Sequence, residues 1–278
     1  MKKRTAAGAK VGISSKTPLN GNMKFKKQHQ KKENSDYILF GLHSCIEAIL
    51  NPRRIIKKIY CTKNTLPKIK DILEKNTPST KHLDKYLDKL TLVQAQEIEE
   101  LTNNENHQQI AVSTVPLENQ ETTDKELQEI NRIIILDELN DVRNIGAIIR
   151  TSAAFGINRI ICHEKNTPKE NAAMAKIASG SLEHVKIDFV TNISRFIDKL
   201  KKFNFWIAGL SLNTNAKINE LKKYEKLALV IGSENSGLRK LTEKKCDLKV
   251  KIPISSKVES LNASAAASIA IYQISTLN

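Results

Sequence analysis

In its C-terminal half the chain alternates short apolar or β-branched runs with longer amphipathic ones. Residues 133–136, 159–162, 184–190, 205–210, 227–231 and 248–252 predict strands, and helical patterns fall near 145–155, 171–177, 193–202, 237–244 and 263–271. Strands that are apolar throughout, separated by helices, predict an α/β fold with a parallel sheet covered on both faces. The N-terminal half repeats the theme on a smaller scale. Tyr37-Ile38-Leu39-Phe40-Gly41 reads as a strand, 43–50 as a helix with Cys45, Ile46, Ala48, Ile49 and Leu50 on its apolar side, and 55–60 as a second strand. Helical patterns follow near 66–73, 82–90 and 95–101, and a strand over 109–115.

These patterns divide the chain into a small α/β unit over 35–116, a polar linker over 117–130 and a larger sheet domain over 131–278. Residues 1–34 combine Lys, Gln, Asn, Gly and Ser with almost no large apolar side chains. Such a segment cannot offset the entropy of ordering, so a disordered basic tail is expected.

Composition sharpens this picture in three ways. The net charge of +15 points to a polyanionic partner, RNA above all, and ten of the Lys and Arg lie in residues 1–32, which hold no acid. A solubilising tail accounts for that charge equally well. No run approaches the roughly 18 apolar residues of a membrane helix, so no membrane partner is expected. The four cysteines, Cys45, Cys61, Cys162 and Cys246, are far apart and form no C-x-x-C pair. Neither a metal site nor a disulfide framework is suggested, and a reducing, cytoplasmic setting fits.

Three loops at predicted strand ends carry the candidate chemistry. Gly232-Ser233-Glu234-Asn235-Ser236-Gly237-Leu238-Arg239-Lys240 nearly matches the phosphate loop of nucleotide triphosphatases. Leu238 stands where that loop needs Lys, and Arg239 where Ser or Thr would hold magnesium, so that activity is rejected. No G-x-G-x-x-G follows a predicted strand, which removes the usual dinucleotide fingerprint. Asn144-Ile145-Gly146-Ala147-Ile148-Ile149-Arg150 opens a helix with Asn144 at the N-cap and Arg150 inside an apolar segment. A structural Arg paired with a carboxylate is the plain alternative for Arg150. Ile252-Pro253-Ile254 to Ser260-Leu261-Asn262-Ala263-Ser264 leads from a strand into a helix of small residues; Ser260 or Asn262 caps it, or the loop holds a ligand at the sheet's edge.

Taken together, Asn144-x-Gly146-x-x-x-Arg150, Ile231-Gly232-Ser233-Glu234-x-x-Gly237-Leu238 and Ile252-Pro253-Ile254 to Ser260-Leu261-Asn262-x-Ser264-x-Ala266 resemble the three motifs of the SpoU (TrmH-type) RNA ribose 2′-O-methyltransferases. The match runs over about 130–275. Gly41-Leu42-His43, Glu47-Ala48-Ile49-Leu50, Pro52-Arg53-Arg54 and His107-Gln108-Gln109-Ile110-Ala111 resemble the substrate-binding domain of the family's RlmB branch, which acts on a guanosine of large-subunit ribosomal RNA. Two departures stand out. Ser256 replaces a usual Gly and could narrow the cofactor loop, and Gln109 replaces the Gly of a His-Gln-Gly motif.

The resemblance implies a SPOUT fold with a deep trefoil knot, S-adenosyl-L-methionine as cofactor, and a homodimer in which one copy's first motif completes the other's site. It places Gly232, Ile252 and Leu261 at the cofactor, with Gly232 permitting close approach. Arg150, Asn144, Glu234, Ser260 and Asn262 become the catalytic set around the ribose, Glu234 orienting Arg150 or Asn144. In the family the matching Arg serves as base. A guanidinium is almost never deprotonated, so binding the adjoining phosphate and stabilising alkoxide charge is the easier role, and the assignment stays open. Transfer RNA as substrate, and a non-catalytic RNA-binding protein on the same scaffold, are the rival readings.

Overall fold

Strand β5 (Arg132–Asp137) runs through the middle of the larger sheet, and Ile133 to Asp137 are all buried. It pairs in parallel with β9 (Leu227–Gly232) on one side and β6 (Arg159–His163) on the other. β7 (Lys186–Val190), β8 (Trp206–Leu210) and β10 (Leu248–Val250) extend an all-parallel sheet in the order β10-β8-β9-β5-β6-β7. The fold is therefore α/β, as expected. This computed structural model describes residues 36–76, 86–119, 121–234 and 236–275; the expected basic tail lies outside them.

The two-residue period of a strand sorts the core. Ile134, Leu136, Ile160, Leu229 and Ile231 pack with α5 (Val142–Ala154), α6 (Ala172–Ala178) and α9 (Ala263–Ile274) on one face. Ile133, Ile135, Ile161, Ile207 and Val230 meet α7 (Ile193–Lys202) on the other, together with Leu127 of α4 (Asp124–Glu129). Gly146 lets α5 and α6 touch: a Cβ there would lie 2.9 Å from the Met174 carbonyl oxygen.

The smaller sheet has the order β1-β4-β2-β3, from β1 (Tyr37–Phe40), β2 (Ile56–Cys61), β3 (Leu90–Leu92) and β4 (Ile110–Thr114). Helices α1 (Leu42–Leu50), α2 (Leu66–Asn76) and α3 (Ala95–Leu101) accompany it. Of the helix expected over 82–90, residues 82–85 lie outside the described residues, 86 and 87 are helical, and Leu90 at its end instead opens β3, parallel to β2. At the departure from the family's His-Gln-Gly, Gln108 and Gln109 both take positive φ, 52° and 62°. Gln109 is held there because its Oε1 accepts from the Thr62 hydroxyl at 2.7 Å and its N–H donates to His107 Nδ1. These bonds offset the roughly 1–2 kcal/mol that a side chain pays in that region.

The segment read as a linker is docked. Its Leu117 and Thr122 N–H groups donate to Glu170 and Asp188, and α4 forms within it behind a Thr123 capping box. Polar composition hid this helix, whose only buried side chain is Leu127. A second connection is ionic. Arg54, beside β2, is buried and pairs with Glu170 at 2.5 Å and with Glu183, both from the larger-sheet half of the chain.

Candidate active site

In an open parallel sheet, ligands collect at the C-terminal strand ends where the strand order reverses. Here the chain runs outward through β5, β6 and β7, then crosses to β8, and β9 inserts beside β5. Asp137 and Gly232, the last residues of β5 and β9, are register partners. The loops that follow them therefore start side by side, and α9 brings the third loop to the same place.

One atom joins the three. Glu234 Oε1 accepts from Asn144 Nδ2 at 2.8 Å, from Asn262 Nδ2 at 2.7 Å and from the Ala263 N–H at 3.1 Å. Its carboxylate thus sits at the N-terminal turns of both α5 and α9, where unpaired backbone donors and the helix dipole favour negative charge. Asn262 is the cap of α9: its Oδ1 accepts from the Ser264 and Ala265 N–H groups, and Ser260 does not share that role. A cap of this kind is worth about 1 kcal/mol. On α5 the cap is Asp141, which accepts from Arg143 N–H, and Asn144 lies one turn inside the helix rather than at its N-cap. That position frees the Asn144 amide to reach Glu234.

Beside this knot of bonds lies a cavity of about 340 Å³. Its walls include Ile231, Gly232, Glu234, Ile252, Ser260 and Leu261, so the residues expected at the cofactor share one space with two of the expected catalytic set. Asn144 and Asn262 stand behind Glu234 and do not line it. Ser256 is exposed and does not narrow it. At Gly232 the chain itself makes a close approach: a Cβ there would lie 2.3 Å from the backbone of Gly237, because the chain folds back over it. Ser233 and Gly237 close that turn with a pair of backbone hydrogen bonds.

Arg150 departs furthest from expectation. It is exposed, on the outer stripe of α5, and not inside an apolar segment. Six residues from Asn144, it is about 9 Å along the axis and turned well round the helix, so within one chain Glu234 bonds Asn144 and not Arg150. Within one chain Arg150 does not join the Glu234 cluster.

Leu210, Ser211, Leu212 and Asn213, at and just after the end of β8, also line the cavity and were not singled out in the sequence. Their signal was present: a strand end two positions from the reversal of strand order is where this class of sheet places a site. Among the described residues no group of three or more His, Cys, Asp or Glu is placed to hold a metal ion.

The sequence profile of the SpoU rRNA methylase family matches residues 131–272, and that of the RNA 2′-O ribose methyltransferase substrate-binding domain matches 38–120. A putative TrmH family tRNA/rRNA methyltransferase of Staphylococcus epidermidis is 34% identical over 244 residues, 86% of this chain and 95% of that one. The chain belongs to the SpoU rRNA methylase family. It is an RNA methyltransferase of the SpoU/TrmH type. Solved structures share the fold at low identity. The SpoU methyltransferase AviRb of Streptomyces viridochromogenes is 17% identical with a TM-score of 0.68, over 86% of this chain and 88% of its own. An AdoMet-bound rRNA methyltransferase from Sinorhizobium meliloti is 19% identical with a TM-score of 0.67, over 86% of each chain.

Proposed function

We propose that this SpoU family member methylates a ribose 2′-hydroxyl of RNA with S-adenosyl-L-methionine, and that its target is a guanosine of large-subunit ribosomal RNA. The observation that carries the reading is the convergence of all three motif loops on Glu234 Oε1 at the rim of one cavity. The residues fit the cofactor. Leu210, Ile231, Leu238, Val250, Ile252 and Leu261 offer an apolar slot for an adenosine, and backbone groups of the Gly232 loop edge it. When bound, S-adenosylmethionine supplies an already activated methyl group.

The chain's own work is then alignment and charge stabilisation. Glu234 locks the two helix starts, so the cavity rim is fixed before substrate arrives. Ser260, exposed on that rim, is available to the ribose. Arg150 holds the adjoining phosphate and stabilises the negative charge that develops on the 2′-oxygen. Because Arg150 is remote from Glu234 within one chain, it acts at the site of a second copy. The exposed stripe of Arg143, Arg150 and Ala154 on α5 beside Ala265, Ile269 and Tyr272 on α9 supports this homodimer; Ile269 and Tyr272 are 42% and 66% exposed. The trefoil knot belongs to the same reading, supported by the return of the chain from edge strand β10 to α9, which packs on α5. The preceding domain, matched to a substrate-binding profile, favours ribosomal RNA.

The test mixes two inactive variants. Arg150→Ala is expected to bind cofactor and transfer no methyl, and Gly232→Ala to fail in cofactor binding. Mixed and re-equilibrated, they regain up to about one active site per mixed dimer. Activity of Arg150→Ala alone at the wild-type rate would remove Arg150 from the mechanism.

A further inference from the structure

Behind the cavity, and outside its lining, Asp137 carries a fully buried carboxylate. Its Oδ1 accepts from Arg239 Nε at 2.6 Å and lies 2.6 Å from Arg239 Nη2, and its Oδ2 accepts from the Arg239 backbone N–H at 3.0 Å. Main chain and side chain of one residue are thus both tied to the end of β5. Arg239 closes the loop that begins at Gly232. Between them the backbone of Gly237 and Leu238 lies over Gly232, and Leu238 packs so tightly on Gly209 of β8 that a Cβ there would meet its Cδ1 at 2.6 Å. Leu238, Gly237 and Ser236 all face the cavity. The anchor extends sideways: Arg239 Nη1 is 3.5 Å from Glu138 Oε1, which accepts from Asn166 Nδ2 at 2.9 Å.

We infer that Asp137 and Arg239 are a positioning pair that holds the loop over 232–239 in its closed shape, and so sets cofactor affinity without touching the reacting atoms. The inference deepens the proposed function and rests on it for the identity of the ligand. A buried carboxylate is tolerated only when paired, and a guanidinium bonded through two nitrogens and its own backbone fixes direction as well as charge. Lys can supply one such bond and no fork. The mismatch that excludes a nucleotide triphosphatase, Arg239 in place of Ser or Thr, is thereby explained as an anchor for the loop.

The experiment compares wild type with Arg239→Lys, Arg239→Met and the charge-free pair Asp137→Asn with Arg239→Gln, which leaves no buried charge unpaired. Two quantities are read: hydrogen exchange of amides 233–239 without ligand, and the KM for S-adenosylmethionine against kcat at saturation. Arg239→Met is expected to raise exchange across the loop while β5 and β9 stay protected, and to raise the cofactor KM tenfold or more with kcat and RNA affinity within about threefold. Arg239→Lys should fall between, and the charge-free pair should fold normally yet keep the KM defect. Loop protection equal to wild type in Arg239→Met or in the charge-free pair overturns the inference, as does a fall in kcat with unchanged cofactor KM. A wild-type protein that binds no S-adenosylmethionine would refute the proposed function while the exchange comparison still decides the anchor.

Discussion

Replacing Arg54 with Met removes the cation from a site where two carboxylates converge. The Arg54 side chain is fully buried; its Nη1 lies 2.5 Å from Glu170 Oε1 and donates to the Val115 carbonyl at 3.1 Å, while Nε and Nη2 bond Glu183. Tyr37 donates its hydroxyl to Glu170, and Asn51 Nδ2 donates to Glu183 at 2.5 Å. Burial opposes the charge on Arg54, yet Glu183 and Glu170 outweigh it and push the guanidinium pKa above its ordinary range. Burial and Glu170 together raise the Tyr37 pKa, so its hydroxyl keeps its proton. Breaking one side of a buried pair costs about 3–5 kcal/mol, and two uncompensated carboxylates place this site toward the upper end. At about 2–4 °C per kcal/mol for a chain of this size, the midpoint of thermal unfolding should fall by about 6–20 °C, read by circular dichroism or calorimetry. Adding Glu170→Gln and Glu183→Gln should restore part of the loss, because no charge then remains buried. A midpoint for Arg54→Met within about 2 °C of wild type would show that the pair contributes no net stability, and the reasoning from burial would fail.

Gly232→Ala should abolish measurable cofactor binding in calorimetry, since a Cβ 2.3 Å from the Gly237 backbone forces the loop outward by about 1 Å before ordinary contact is restored. Glu126, hydrogen-bonded by Lys186 and also by Thr123 and Arg159, has its pKa lowered to about 2. That contribution is complete above the ordinary carboxylate pKa and is lost as pH falls through the folded value. Glu126→Gln should therefore flatten the acid side of the stability curve between about pH 4.5 and pH 2 in urea titrations. Burial pushes the Cys162 and Cys246 thiols up to about 12, so a thiol reagent at pH 8 should label them far more slowly in the native protein than in denaturant.

Much of the fold was legible because β5, β6 and β9 are apolar on both faces, and only parallel strands between helix layers need that pattern. Helix α4 was not, since a six-residue helix with one buried side chain leaves almost no periodicity. The start of α8 (Lys240–Lys245) was placed too early: Gly237 has φ of 65° and Arg239 is extended, which the run of polar residues does not betray. At the site, Gly232, Glu234, Ile252, Ser260 and Leu261, all singled out from the motif loops, line one cavity. The motifs could not show that Glu234 serves as a common acceptor, because that depends on two helix starts meeting in space. Arg150 was misjudged through its apolar neighbours in sequence, which point inward from the other side of α5. The Asp137 anchor was invisible for a similar reason: an acid ending a strand reads as a surface residue until Arg239 is brought to it.

The central claim is transfer of a methyl group to a ribose 2′-hydroxyl in ribosomal RNA. Ribose-methylation mapping of ribosomal and transfer RNA from cells with and without this gene tests it most directly. One 2′-O-methylguanosine of large-subunit ribosomal RNA should disappear in the deletion, return with the wild-type gene and stay absent with Arg150→Ala. An unchanged ribosomal map, or loss of a mark confined to transfer RNA or to a base, would contradict it.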